Sequence, residues 1–323
     1  MGSPNIESSV TRPDLKGAIY REWEASEMSK RFIADQALPQ LDVLKKSATV
    51  KVITREQYLT RTDDGKTQDG GYHRTDFGVG EINYDCVARG MEAPVDADSG
   101  AEMGDYFSAE QEAADIALFK SKMEHEIRAA SLLFNETTFT GHTTSAAVAW
   151  SSTGSATPIA DVAVGVESIK EATGGYVPNT LIVSSYVWDK LKNCDEILDR
   201  LGMASSKDPK IARMETVAAL LDLDRILIGD CFYNQSLEGA TASLARCWNK
   251  TYALLAYINP QPRLKTPFLG ATLHWTGRGS QFDFRMEEYY EESKEAKIIR
   301  CRRHVVPKVF NAEFGWLISG IAA

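Results

Sequence analysis

Residues able to do chemistry are present in this chain, but they lack the spacings that chemistry requires. His73, His125, His142, His274 and His304 stand apart from one another and from the cysteines. None forms a His-Glu-x-x-His pair or falls at the short Cys/His intervals of a zinc site. Each reads as an ordinary hydrogen-bonding side chain. Asp96-Ala97-Asp98-Ser99-Gly100 begins like a calcium loop. The residue before the glycine is serine, however, so a solvated acidic linker fits better. Gly277-Arg278-Gly279 and Gly174-Gly175 lack the glycine–lysine element of a phosphate loop and read as turns. Glu287, Glu288, Glu291, Glu292 and Glu295 supply carboxylates for acid–base work, yet they run beside Tyr289 and Tyr290 in what reads as a solvated face. No Gly-x-Ser-x-Gly elbow or cysteine-nucleophile signature occurs. We therefore expect no catalytic residue, no cofactor and no metal, and do not read the chain as an enzyme.

Two positive features remain. Arg300, Arg302, Arg303 and His304 form the one dense cationic cluster, and in a strand Arg300 and Arg302 share a face. The cluster fits an exposed edge guarded by charge or an ionic contact to a neighbouring chain. Lys66 lies in a polar, glycine-rich tip spanning Arg61 to Tyr72. A turn lysine ordinarily aids solubility; contact with a neighbouring subunit is the alternative. The contact candidates are Arg61, Asp64, Lys66, Tyr72, Arg74, Arg300, Arg302 and Arg303.

The chain has 323 residues, 43% of them hydrophobic, enough for a sizeable core and about two domains. Its net charge of −9 argues against sequence-specific DNA recognition. Cys86, Cys194, Cys231, Cys247 and Cys301 are scattered with no close pair in sequence, a pattern of reduced thiols. No apolar run approaches the length needed to span a bilayer, and the N-terminus shows no signal pattern.

The elements positioning these residues centre on a helix predicted from Ser108 to Phe134, about 40 Å long at 1.5 Å per residue. Ile116, Phe119, Met123, Ile127, Ala130 and Phe134 fall at helical spacing as its apolar stripe. Ser108 and Gln111 have the spacing of a capping box. Upstream, Met1 to Lys46 reads as an arm with short helical pieces at Ala18–Trp23 and Met28–Ala34, without a core of its own. Ala48–Thr60 and Phe77–Val87 read as two extended runs around the tip. A long two-stranded arm is marginal alone in water, so another chain is expected to cover it. Pro94 to Gly104 reads as a linker.

After a Thr/Ser/Ala/Gly boundary from Thr137 to Thr157, helices at Pro158–Glu171, Tyr186–Cys194 and Lys210–Leu221 alternate with strands at Asn179–Ser184 and Arg225–Gly229. Ser185 is the expected cap of the second helix. The last third reads as strands: Tyr252–Ile258, Ala271–Thr276, Phe282–Met286, Lys297–Val306 and Phe314–Ile321. The fold class is α+β, one discontinuous domain with an α/β domain inserted.

Tyr176-Val177-Pro178-Asn179-Thr180-Leu181-Ile182-Val183-Ser184-Ser185-Tyr186-Val187-Trp188-Asp189-Lys190-Leu191 resembles the Pro-Asn strand and Trp-bearing helix of tailed-phage major capsid proteins. Lys297 to Ile321 is similar to that family's final strand pair. The resemblance implies the Hong Kong 97-type capsid fold, which encapsulin shells share. It divides the chain into an N-terminal arm (1–47), an extended two-stranded loop (48–87), a peripheral domain with a long spine helix (88–154), an axial domain (155–250) and the peripheral return (251–323). The implied function is a virion shell protein forming pentamers and hexamers around double-stranded phage DNA, assembled in the host cytoplasm. An encapsulin-like cargo compartment is the alternative, and a soluble oligomeric enzyme the third reading. Implied partners are other copies of the chain, a separate scaffolding protein, a portal, a decoration or cement protein, and packaged DNA in non-specific proximity, with no membrane. Some relatives cross-link a loop lysine to an asparagine; the motif around Lys66 and Asn311 does not match, so that chemistry is not carried over.

Overall fold

The structure is a computed structural model describing residues 10–12, 29–53, 59, 61, 79–96, 106–202, 214–236, 239–263, 266–277 and 284–322. Two sheets share one long helix. The first sheet centres on β14 (Ala296–Val309), which pairs antiparallel with β5 (Val87–Asp96), β13 (Arg285–Glu291) and β12 (Gly270–Trp275). β1 (Val10–Thr11) adds to β13, and β2 (Gln40–Val43) adds in parallel to β12. The second sheet runs β6-β15-β11-β7-β8, with β6 Thr143–Ser145, β7 Thr180–Ser184, β8 Arg225–Gly229, β11 Ala253–Ala256 and β15 Gly315–Ser319. Two ribbons stand apart: β3 (Ser47–Ile53) with β4 (Val79–Asp85), and β9 (Phe232–Asn234) with β10 (Leu244–Arg246).

The second sheet is buried on both faces, and the period-two alternation of its strands sorts them between two cores. Leu181, Val183, Ala253 and Leu255 face a core closed by α3 (Pro158–Thr173), α4 (Ser185–Leu191), α5 (Asp195–Arg200) and α6 (Met214–Leu220). Ile182, Leu254 and Ala256 face the other way, onto the end of the long helix α2 (Tyr106–Leu133). Pro158 sits in the first turn of α3, where its missing N–H costs nothing. Gly174, at φ 74°, ends the helix in the left-handed conformation that glycine adopts freely. Asn179 fixes the entry to β7: its amide donates to the Ile258 carbonyl and accepts from Ile258 N–H, both at 2.9 Å. The cap of α4 is Ser184 rather than Ser185, accepting from Val187 N–H at 3.4 Å.

Several elements differ from the sequence reading. The helix α2 begins at Tyr106, so Ser108 lies inside its first turn and no capping box forms there. Its buried face is rotated from the expected stripe. Of that stripe Ala130 and Phe134 are buried, Phe119, Met123 and Ile127 are half-buried, and Ile116 is exposed. The face turned inward carries Ala109, Ala113, Ala114, Ala117, Leu118, Ala129, Ala130 and Leu133. Alanines there let the helix lie close on the sheet of β5 and β14.

The strand β5 lies where the sequence predicts only the end of an extended run at Val87 and a linker from Pro94. Its sequence is rich in small and charged residues, and Pro94 is tolerated because β5 pairs with only one neighbour. Gly90 is needed in it: a Cβ would stand 2.6 Å from the Cys301 carbonyl. The leading segment was read as lacking a core. Instead α1 (Ala34–Ala37) and its neighbours Ile33 and Leu38 are buried on this same chain, after a 3-10 turn at Ser29–Arg31. Strands 253–256 and 315–319 belong with β7 and β8, not with the peripheral return. The boundary stretch contributes β6 and the fully buried Trp150, whose indole donates to Asp161 at 2.8 Å. The expected helix at Ala18–Trp23 lies outside the described residues.

Candidate functional site

Among the described residues no concentrated reaction centre emerges. Among the described residues no group of three or more His, Cys, Asp or Glu is placed to hold a metal ion. His125 and His274 are buried, each beside an aspartate of the leading segment: His125 Nε2 lies 3.3 Å from Asp35 and His274 Nδ1 3.0 Å from Asp42. His142 and His304 are half-buried, and His73 lies outside the described residues. Gly174 and Gly175 are the expected turn, with φ of 74° and 108°. Among the described residues no helix is long and apolar enough to cross a membrane.

What the sequence treated as a solvated acidic run is partly structural. Glu287 is 1% exposed and ion-paired to Arg285 at 2.8 Å and Arg302 at 2.7 Å, with Arg300 at 3.9 Å. Glu288 sits in a four-residue network: Lys297 reaches Glu110 at 2.6 Å and Glu288 at 2.9 Å, and Arg12 reaches Glu288 at 2.5 Å and Glu110 at 3.3 Å. That network ties the start of the chain to both α2 and the β13–β14 pair. Glu292 and Glu295 lie exposed in the turn between those strands.

The arginine cluster divides between the two faces of β14. Arg300 and Arg302 share one face, as strand geometry dictates. Arg300 bonds Glu92 at 2.5 Å and stacks over Tyr289 at 4.7 Å. Burial is the largest influence and opposes its charge, but the hydrogen bonds and charge attraction from Glu92 and Tyr289 together exceed it and leave the guanidinium more firmly protonated. Arg303 points the opposite way, 3% exposed, over the Phe284 ring at 4.3 Å. The expected exposed edge is thus corrected, because β14 is flanked by strands on both sides and holds these cations within the molecule. Of the tip candidates, Arg61 is exposed; Asp64, Lys66, Tyr72 and Arg74 lie outside the described residues. At the base of the ribbon, Val50 and Ile82 pack with Tyr84 and Cys86 against Phe268, Leu273 and Phe310.

The sequence reading missed a buried polar junction on α2. Glu126, 1% exposed, accepts from Ile33 N–H at 2.9 Å, Ala34 N–H at 2.8 Å and the Trp248 indole at 2.6 Å. One carboxylate thus holds the leading segment, the long helix and the segment after β10. Burial raises its carboxyl to about 7, despite those three donors. Beside it Lys122 pairs with Asp35 at 2.6 Å. The only sequence signal was a charged pair, Lys122 and Glu126, at i,i+4 on a helix. On a surface helix that spacing is a routine solvent-exposed pair.

No protein-family model and no curated protein matches the sequence. Solved structures do match it along nearly its full length. A phage-related protein from Bordetella bronchiseptica RB50 superposes with a TM-score of 0.73 at 19% identity, covering 97% of each chain. A protein proposed as the capsid protein of an Escherichia coli CFT073 prophage superposes at 0.55 and 11% identity, over 97% of this chain and 99% of that one. The encapsulin of Synechococcus elongatus PCC 7942 superposes at 0.50 and 9% identity, over 88% and 86%. The fold is therefore the α+β fold of phage capsid and encapsulin shells, the Hong Kong 97 type that the sequence resembled.

Proposed function

We propose that this chain is a major capsid protein that assembles into the pentamers and hexamers of an icosahedral shell enclosing double-stranded phage DNA. The observation that carries the reading is the end-to-end superposition on a phage-related protein, with 97% of both chains matched. The β3–β4 ribbon, the long helix and the two-sheet body supply the parts such a shell uses. In this reading residues 48–87 form the loop lying over a neighbour, α2 is the spine, and the five-stranded sheet with α3 to α6 is the axial domain. The contact residues proposed at the ribbon tip are Arg61, Asp64, Lys66, Tyr72 and Arg74. Arg300 and Arg302, 18% and 16% exposed and already paired to Glu92 and Glu287 within the chain, are the weaker contact candidates. Many modest interfaces per subunit then sum by multivalency. The net charge of −9 suits DNA lying against the shell without tight binding. A scaffolding protein, a portal and a cement protein are the further partners, and the role is structural rather than enzymatic.

The likeness to an encapsulin favours one second reading, a shell around protein cargo. Expression of the chain with its neighbouring genes, followed by purification of particles, separates the two. Nuclease-protected double-stranded DNA inside supports the capsid. A uniform protein cargo without nucleic acid overturns it in favour of the compartment.

A further inference from the structure

Cys231 and Cys247 are far apart in sequence but meet at the base of the β9–β10 ribbon. The register sets Arg246 against Phe232, so the next rung sets Cys247 against Cys231. Cys247 N–H donates to the Cys231 carbonyl at 2.9 Å. Hydrogen-bonded antiparallel partners project side chains on one face, with Cα atoms about 5.5 Å apart. That lies inside the roughly 4.4–6.8 Å that a disulfide spans. The two thiols are also within hydrogen-bonding reach of each other.

Their surroundings give the two sulfurs different access. Cys231 is 6% exposed. Cys247 is half-buried and lines a cavity of about 440 Å³ with Ile127, Ser131, Phe134, Arg246 and Lys250. Arg246 and Lys250 place positive charge at that cavity, partly offset by Asp230 at 3.9 Å from Arg246. Cys86 and Cys194, by contrast, are fully buried. Cys301 is fully buried within the first sheet.

We propose that Cys231 and Cys247 form a redox-reactive dithiol that closes to an intramolecular disulfide on meeting a small anionic disulfide such as oxidised glutathione. Cys247, the reachable thiol, gives its proton to solvent. Its thiolate attacks one sulfur of the oxidant, and the first glutathione leaves as a thiolate that takes up a proton. Cys231 then loses its proton, and its thiolate attacks Cys247 Sγ in the mixed disulfide, displacing the second glutathione in the same way. Two protein thiols are oxidised, and one disulfide of the oxidant is reduced to two thiols. The Cys231 contact, then burial, and the nearby Glu126 carboxylate on α2 hold the Cys247 thiol above its usual range, so closure quickens as pH rises. The bond fastens the base of a ribbon that carries the exposed Phe232 and Leu244. It also adjoins Trp248, the residue hydrogen-bonded to Glu126.

The test is incubation of the folded full-length chain with oxidised glutathione, alkylation without reduction, and peptide mapping by mass spectrometry. The expected result is a Cys231–Cys247 linked peptide with a mass loss of two hydrogens, while Cys86, Cys194 and Cys301 stay reduced. Cys231→Ser should instead accumulate glutathione on Cys247, whereas Cys247→Ser should leave Cys231 unmodified. A wild-type chain that stays reduced, that stops at the mixed disulfide, or that links a different pair overturns the proposal. The wild-type map decides the matter even where a variant fails to fold.

Discussion

The α3–α6 side of the five-stranded sheet and the interior along α2 are closed by different chemistry. On the α3–α6 side the core is aliphatic and aromatic, and its buried polar groups are few and local, such as Asp161 beneath Trp150. Along α2 the interior is interrupted by charge: Glu110, Ser121, Lys122, His125 and Glu126 are all buried on one helix. Apolar packing is non-directional and tolerates substitution of similar shape. A buried carboxylate with three named donors fixes which segments meet and in what register, at the cost of desolvation. The α/β half therefore resembles an ordinary self-sufficient core. The spine half works as a junction where the leading segment, helix and ribbon must be placed relative to one another.

Removing the junction carboxylate should have the largest effect. Glu126→Ala leaves two backbone N–H groups and the Trp248 indole without their acceptor. At about 1–3 kcal/mol for each stranded donor, the loss should be on the order of 3–5 kcal/mol after partial hydration. Denaturant unfolding measures it, and limited proteolysis should cut first near residues 29–38. Uniform digestion instead would erase the distinction between junction and core. Leu181→Ala cuts into the aliphatic side, where the residue is fully buried. It should cost about 2–4 kcal/mol and lower global stability without selectively freeing the leading segment.

The pH dependence sharpens the contrast. Glu126 has a folded value of about 7, above the 4.5 of an unburied glutamate. Between those values the native state holds a proton that the unfolded chain has released. This contribution is complete below about pH 4.5 and is lost as pH rises through about 7. Unfolding free energy measured from pH 4.5 to 8 should therefore carry a falling component that Glu126→Gln abolishes. Leu181→Ala should shift the whole curve and keep that component. The smallest effect belongs to the rim of the network. Arg12 is 20% exposed, so Arg12→Ala should cost about 0.5–1 kcal/mol. That loss should be detectable in a double-mutant cycle with Glu288→Gln.

Elements with strong local signals were legible in the sequence. Pro158, Gly174 and the apolar Leu181-Ile182-Val183 run placed α3 and β7 within a residue or two. The strand Arg225–Gly229 fell where composition put it. What failed was what neighbours decide. The sequence of β5 is unremarkable for a strand, and it forms one because β14 offers ten consecutive partners, Ala296 to Val305. The buried face of α2 was misread because the apolar moment pointed to Ile116 and Phe119, while close approach to a sheet selected alanines. Arg303 reads like its neighbour Arg302, and only the pleat, with Phe284 beneath it, buries Arg303 fully and leaves Arg302 partly exposed. Glu126 and the Cys231–Cys247 pair were invisible because their partners are distant in sequence.

Sedimentation velocity of the purified chain, with electron microscopy of the fastest fraction, tests the central claim most directly. Closed shells built of five- and six-fold clusters are the predicted result. A small discrete oligomer that forms no shell under any assembly condition, with or without its neighbouring gene products, contradicts it.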